Sequence, residues 1–204
     1  MAGTRGRGAY GDRLGRCFEL ACAPSLVMRT ASHGPFAATR ITCAPGQLGM
    51  KRAIPVEDAF MVTLHLNGVP HHELWMHGRP RVVQGYLPGA LSIVDLRDDV
   101  ANYLGSPFDA LAFYLPRTLI DAVAAALGMA PVRTLACTPG LIDPVVRHLG
   151  AAVLGLFARP GASKGSPTFD HLAMAICAYL VHRFGMTDAL DGAAAGALPP
   201  RHLH

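Results

Sequence analysis

Residues 71–96, HHELWMHGRPRVVQGYLPGALSIVDL, read as three short extended segments separated by two turns. His71 through Met76 is a bulky run that suits a pleated strand, His77-Gly78-Arg79-Pro80 is a turn, and Arg81 through Gln84 resumes extended structure. Pro88-Gly89 turns the chain again, and residues 90–96 follow as a β-rich run. Strand side chains alternate, so Ser92, Val94 and Leu96 lie on one face and Leu91, Ile93 and Asp95 on the other.

Upstream, residues 58–66, DAFMVTLHL, form a clear strand. Phe60, Val62, Leu64 and Leu66 share one face and Met61, Thr63 and His65 the other, with Asn67-Gly68 as the turn that follows. Residues 39–43 are another short β-branched run. In residues 17–30 alternating apolar positions are broken by Pro24, which predicts two strand pieces or an edge strand with a bulge. Downstream, Arg97-Asp98-Asp99 marks a surface loop, and residues 108–115, FDALAFYL, are a last strong strand. Six to eight such strands predict a sandwich or small barrel.

The remainder is helical in pattern. Pro116 opens a helix over about 116–127, with Leu119, Val123 and Leu127 at helical spacing until Gly128. Asp143-Pro144 and Ser166-Pro167 each pair an N-cap acceptor with a first-turn proline. One apolar stripe runs through Val145, Val146, Leu149, Val153, Leu156 and Phe157, a second through Phe169, Leu172, Ile176, Leu180 and Phe184. Two such helices joined by the short connector 161–165 pair antiparallel. The division expected is a flexible Gly/Arg-rich arm at 1–16, a barrel at 17–135, a helical dimerisation region at 136–185, and a linker or disordered tail at 186–204.

At 204 residues, 51% hydrophobic and 16% charged, the chain can build one substantial core. No run reaches the ~20 uncharged apolar residues of a spanning helix, and Glu19 and Pro24 interrupt the early apolar patch, against a signal peptide. Five cysteines without a CxxC pair predict free thiols in a reducing cytoplasm. Net charge is +4, but four of the basic residues are Arg5, Arg7, Arg13 and Arg16 in the head, and the others are scattered, so no nucleic-acid face is expected.

His65, His71, His72 and His77 crowd one region, and histidine is a common metal ligand. Their spacing matches no mechanism-bearing motif; His71 and His72 are expected in solvent near a turn, and no metal or cofactor is expected. No GxSxG, phosphate-cradling glycine loop or HExxH frame is present. Trp75 is either a core filler or the aromatic wall of a pocket.

Four blocks taken in order carry a resemblance: ELWMHGRPRVVQGYLPGALSIVDLRD (73–98), SPFDALAFYLPRTLIDAVA (106–124), DPVVRHLGAAVL (143–154) and FDHLAMAICAYLVHRFG (169–185). Across 56–185 the chain resembles the N-terminal effector-sensing and dimerisation region of AraC/XylS-type bacterial transcription regulators. The resemblance implies an α+β fold: a cupin-like β-barrel or sandwich of short antiparallel strands that takes a small molecule, followed by a pair of antiparallel helices that joins two subunits. It also implies that DNA is reached only through a helix-turn-helix part absent from these residues; no HxH with a downstream Glu and His brings a cupin metal site along.

The expected function is therefore a non-catalytic, cytoplasmic ligand-sensing and homodimerisation module. Phe60, His65, Trp75 and Tyr114 are the candidate ligand contacts, and Leu149, Val153, Leu156, Ile176 and Leu180 the candidate dimer contacts. The rival is a small cupin-type enzyme, an isomerase or oxygenase, with a divalent metal on His65, His71 and Glu73. A pure oligomerisation scaffold would differ from the first reading only in lacking a pocket.

Overall fold

The computed structural model describes residues 8–158 and 166–187. Helix α1 (Asp12–Cys17) leads into β1 (Ser25–Arg29), β2 (Pro35–Cys43), β3 (Gly49–Met50) and β4 (Ala59–His65). Next come β5 (Val69–Met76), β6 (Arg79–Tyr86), β7 (Ala90–Asp95), β8 (Val100–Leu104) and β9 (Phe108–Pro116). Helix α2 (Arg117–Ala126) is followed by the two-residue strands β10 (Thr134–Leu135) and β11 (Leu141–Ile142). Helices α3 (Pro144–Phe157) and α4 (Pro167–Phe184) and the short β12 (Gly185–Met186) close the described chain.

The strands form a six-stranded sheet in the order β1-β2-β9-β4-β7-β11 and a four-stranded sheet in the order β3-β8-β5-β6, with β10 paired to β12. Neighbours along both sheets run antiparallel. The stretch 71–96 supplies the links between the sheets. His77 and Gly78, at φ 51° and 70°, make a two-residue β5–β6 hairpin of the kind that needs positive φ at both positions. Arg79 and Pro80 belong to β6, so the turn is shorter than the four residues expected, and Pro80 is tolerated because β6 is an edge strand. The Asn67-Gly68 and Pro88-Gly89 segments are not hairpins. Each carries the chain from one sheet to the other, β4 to β5 and β6 to β7.

One face of the six-stranded sheet carries Phe36, Phe60, Val62, Leu64, Leu91, Leu111, Phe113 and Leu115 and is covered by α2, α3 and α4. Each large side chain buried there is worth about 1.5–3 kcal/mol relative to exposure, so this layer is the main store of stability. Gly150 lets α3 lie close over β4, since a Cβ there would strike Leu64. The caps form as the sequence predicts: the Asp143 carboxylate accepts from the Val145 and Val146 amides at 2.9 and 3.0 Å, and Ser166 Oγ from the Phe169 amide. The opposite face of the sheet turns toward the four-stranded sheet and α1 around a second core.

Several expectations are corrected. Residues 8–16 are not a free arm: Gly8 to Gly11 lead into α1, and Ala9, Tyr10 and Leu14 are buried. Residues 1–7, the connector 161–165 and the tail 188–204 lie outside the described residues. Residues 17–24 contain no strand, and β1 begins at Ser25, at the edge of its sheet. Strand β8 occupies part of the region read as a loop. Beyond residue 135, Leu141–Ile142 still pairs with β7, so the sheet extends into the region read as purely helical.

The proposed dimer contacts are corrected as well. Val153, Leu156, Ile176 and Leu180 are buried within the protomer, against the sheet and the neighbouring helices, and Leu149 packs on the same core. The apolar stripe of each helix meets its own sheet, which is the nearest dry surface. Val145 is left off that stripe, 40% exposed, as is Met174 of α4 at 43%.

Candidate functional site

Between the two sheets lies a cavity of about 30 Å³, taken as the space open to the centre of a water molecule. Its walls follow from alternation. On β4, Met61, Thr63 and His65 face inward; on β9, Phe108, Ala110 and Ala112; on β7, Ser92 and Val94. Strand pairing sets these in rows across the sheet. Thr39 pairs with Ala112, Ala112 with Thr63 and Thr63 with Ser92. In the next row Ile41 pairs with Ala110, and Ala110 with His65. The row of Thr, Ala, Thr and Ser is too small to reach the opposite sheet, and that shortfall is the physical origin of the void.

The opposite wall comes from His72 and Leu74 of β5 and Val100 and Asn102 of β8. Leu14 of α1 and the following Phe18 close the remaining side. The N-terminal segment is fixed there by polar contacts to the sheet and its flank. The Gly11 amide donates to Thr39 Oγ1 at 2.8 Å, Arg13 pairs with Glu57 at 2.8 Å, and the Ala9 amide reaches the same carboxylate.

His65 and His72 are the chemically distinctive groups. The His65 ring stacks on Tyr86 at 4.0 Å between centroids and meets the rings of Phe108 and His72 edge-on. It is 1% exposed, and neither ring nitrogen has a hydrogen-bond partner. His72, also buried, has its Nε2 at 3.1 Å from Asn102 Oδ1, leaving Nδ1 without a partner. Burial pushes the pKa of His65 down to about 3, with the His72 charge adding to the shift. Burial likewise lowers His72 to about 4, opposed by its bond to Asn102. Both rings are therefore neutral near pH 7. A buried polar atom without a partner costs about 1–3 kcal/mol, so the two nitrogens of His65 on one wall and Nδ1 of His72 on the facing wall are a concentration of unspent hydrogen-bonding capacity.

Of the sequence candidates for ligand contact, the structure places only His65 at this cavity. Phe60 points the other way, into the helix-covered core, where the Arg117 guanidinium lies 4.2 Å over its ring. Being five residues apart on one strand, Phe60 and His65 necessarily face opposite sides. Trp75 lies on the outer face of β5 with its Nε1 donating to Glu73 Oε2 at 2.9 Å. Tyr114 does face inward, but Tyr10 packs on its ring and its hydroxyl donates to Glu57, so the N-terminal segment occupies the space before it.

The three ligands of the rival metal site are not brought together. His65 faces the interior, whereas His71 and Glu73 hydrogen-bond to each other at 3.0 Å on the outer face of β5, with the His71 side chain 47% exposed. Sequence reasoning missed His72, Ser92, Asn102, Ala110 and Ala112 as lining residues. The signal for His72 was its alternation with Leu74, and for Asn102 its position between Val100 and Leu104. His65 also borders an open surface groove between the Pro88-Gly89 turn and α3, where Arg147, Ala151 and Leu154 form the far side.

No protein family matches this chain, and no curated protein does. Among solved structures, it is similar to the cupin domain of Cnp3 from Schizosaccharomyces pombe, at 17% identity and TM-score 0.35 over 53% of this chain and 72% of that one. A Cupin 2 conserved barrel domain protein from Salinispora arenicola gives 13% and 0.35 over 51% and 84%. The AraC-like transcriptional activator CuxR gives 13% and 0.41 over 89% of this chain, which spans 59% of CuxR. The strand pairing itself defines the architecture: two facing antiparallel sheets and a helical layer, an α+β sandwich. Among the described residues no helix is long and apolar enough to cross a membrane.

Proposed function

We propose that this chain is the small-molecule-sensing module of a cytoplasmic AraC/XylS-type transcription regulator, non-catalytic in itself. The observation that carries the reading is the cavity between the sheets, lined by His65 and His72, whose rings hold three buried nitrogens without a partner. The order of the four sequence blocks, and a helical layer following the barrel, support the regulator class. In this reading DNA is contacted by a helix-turn-helix region outside residues 1–204.

The low basicity of both histidines supports binding over catalysis, because a ring that stays unprotonated down to about 4 or 3 is a poor proton acceptor at neutral pH. A ligand that binds only the folded state raises its apparent stability by mass action. A thermal-shift screen of small metabolites should therefore find compounds that raise Tm in the native protein and lose that effect in Ala112→Leu, which fills the cavity. Turnover of any such compound by the purified protein would replace this reading with an enzymatic one.

Homodimerisation belongs to the same reading, with the exposed parts of α3 and α4, including Val145 and Met174, as the surface for a second copy. Sedimentation velocity over rising concentration tests it: a single monomeric species throughout would remove the dimer from the proposal.

A further inference from the structure

The polar inventory of the cavity narrows what it can hold. Its polar lining consists of Thr63, His65, His72, Ser92 and Asn102; the lining residues include neither a carboxylate nor a lysine or arginine. An ion placed there would lose its hydration without meeting a counter-charge, at a cost of several kcal/mol. The polar chain neighbours of His72, Glu73 and His71, lie on the outer face of β5 and are already engaged with each other.

The unspent hydrogen-bonding capacity is also specific in kind. With its Nε2 donating to Asn102 Oδ1, His72 offers Nδ1 as an acceptor. His65 in its neutral form offers one donor and one acceptor, both unspent. Thr63 and Ser92 add hydroxyls that can give or take. A ligand that satisfies His65 and His72 from the space between the sheets supplies at least two N–H or O–H donors and one acceptor. The remaining lining is apolar, including Met61, Leu74, Val94 and Phe108. The size is limited too: by the yardstick of roughly 10–15 Å³ for one water centre, about 30 Å³ holds two waters or one molecule not much larger.

We propose that the interior site binds small uncharged molecules of the amide, urea or short-diol type, held by His65 and His72, and rejects carboxylates and amines of the same shape. The proposal rests on the reading of the barrel interior as the ligand site, and its test separates the two. The ring resonances of His65 and His72, assigned through His65→Phe and His72→Gln variants, are followed by NMR near pH 7 in the full chain. Titrants are propionamide and its charged counterparts propionate and propylammonium, with propane-1,2-diol as a second neutral probe.

The neutral probes should shift both rings in a saturable way, and propionate and propylammonium should bind at least tenfold more weakly. Ala112→Leu should abolish saturation; should that variant not fold, Ser92→Ala should weaken the neutral probes while leaving the spectrum native. If propionate or propylammonium shifts the rings as strongly as propionamide, the charge selectivity is wrong and the interior ligand site stands. If no titrant moves them and the rings show only contacts to long-lived buried water, the cavity is a hydrated core and the sensor reading fails with it.

Discussion

The two faces of the six-stranded sheet share the same strands, yet one is packed under helices and the other borders a void. On β9 the helix-facing positions are Leu111, Phe113 and Leu115, and the barrel-facing ones Ala110, Ala112 and Tyr114. On β4 Phe60, Val62 and Leu64 oppose Met61, Thr63 and His65. The volume of alternate side chains, and not a difference in backbone, decides which layer is core and which is site. The packed face stabilises the molecule and the open one holds polar groups that cost stability, as functional sites commonly do.

The sharpest contrast lies between adjacent residues. Phe113→Ala should cost about 3–5 kcal/mol in chemical denaturation, the range for deleting a buried aromatic ring. Ala112→Leu, one position away, should cost at most about 1–3 kcal/mol as an overpacking change, because the cavity takes part of the added volume. Equal losses would mean that the two faces are packed alike.

Acid should act through the open face. Unfolded, each of these imidazoles takes up a proton near the ordinary value of 6.5; folded, His72 resists until about 4 and His65 until about 3. The unfolded chain thus binds more protons across that window, so stability falls as pH drops below 6.5. The slope is about 1.4 kcal/mol per pH unit for each ring, or about 4 kcal/mol for the pair between pH 7 and pH 5. His65→Phe keeps a ring against Tyr86 and removes both unpartnered nitrogens, so it should halve that slope and leave stability at pH 7 unchanged or higher. A variant with the native pH profile would show that His65 is already satisfied.

The smallest effect concerns the seating of the helical layer. Asp143 caps α3 and also accepts from the Tyr179 hydroxyl of α4 at 2.9 Å. Asp143→Ala should lower Tm by an amount corresponding to about 1–2 kcal/mol, without changing the response of the histidine resonances to neutral ligands. A lost ligand response would tie the helices to the site more closely than the packing does.

Much of this was legible in the chain. The alternation in 58–66 and 90–96 separates the two faces of β4 and β7, and the Asp-Pro and Ser-Pro pairs mark where α3 and α4 begin, because caps and periodicity are local. By that same alternation Phe60 and His65, five residues apart on β4, fall on opposite faces, so only one of them can line the cavity. The short strand β8, ringed by charged and glycine-rich turns, was hidden for want of a long apolar run.

What the sequence by itself determined is a set of short antiparallel strands, two capped apolar helices, and which residues share each strand face. Only the tertiary structure decided which face meets helices and which meets the second sheet, that the apolar stripes of α3 and α4 bury within one chain, and that residues 8–18 close the barrel. It also decided that His72 and Asn102 join His65 inside while His71, Glu73 and Trp75 remain outside. The physical reason is that periodicity fixes the direction of a side chain relative to its neighbours, whereas burial depends on pairings between strands distant in sequence, such as β9 set between β2 and β4.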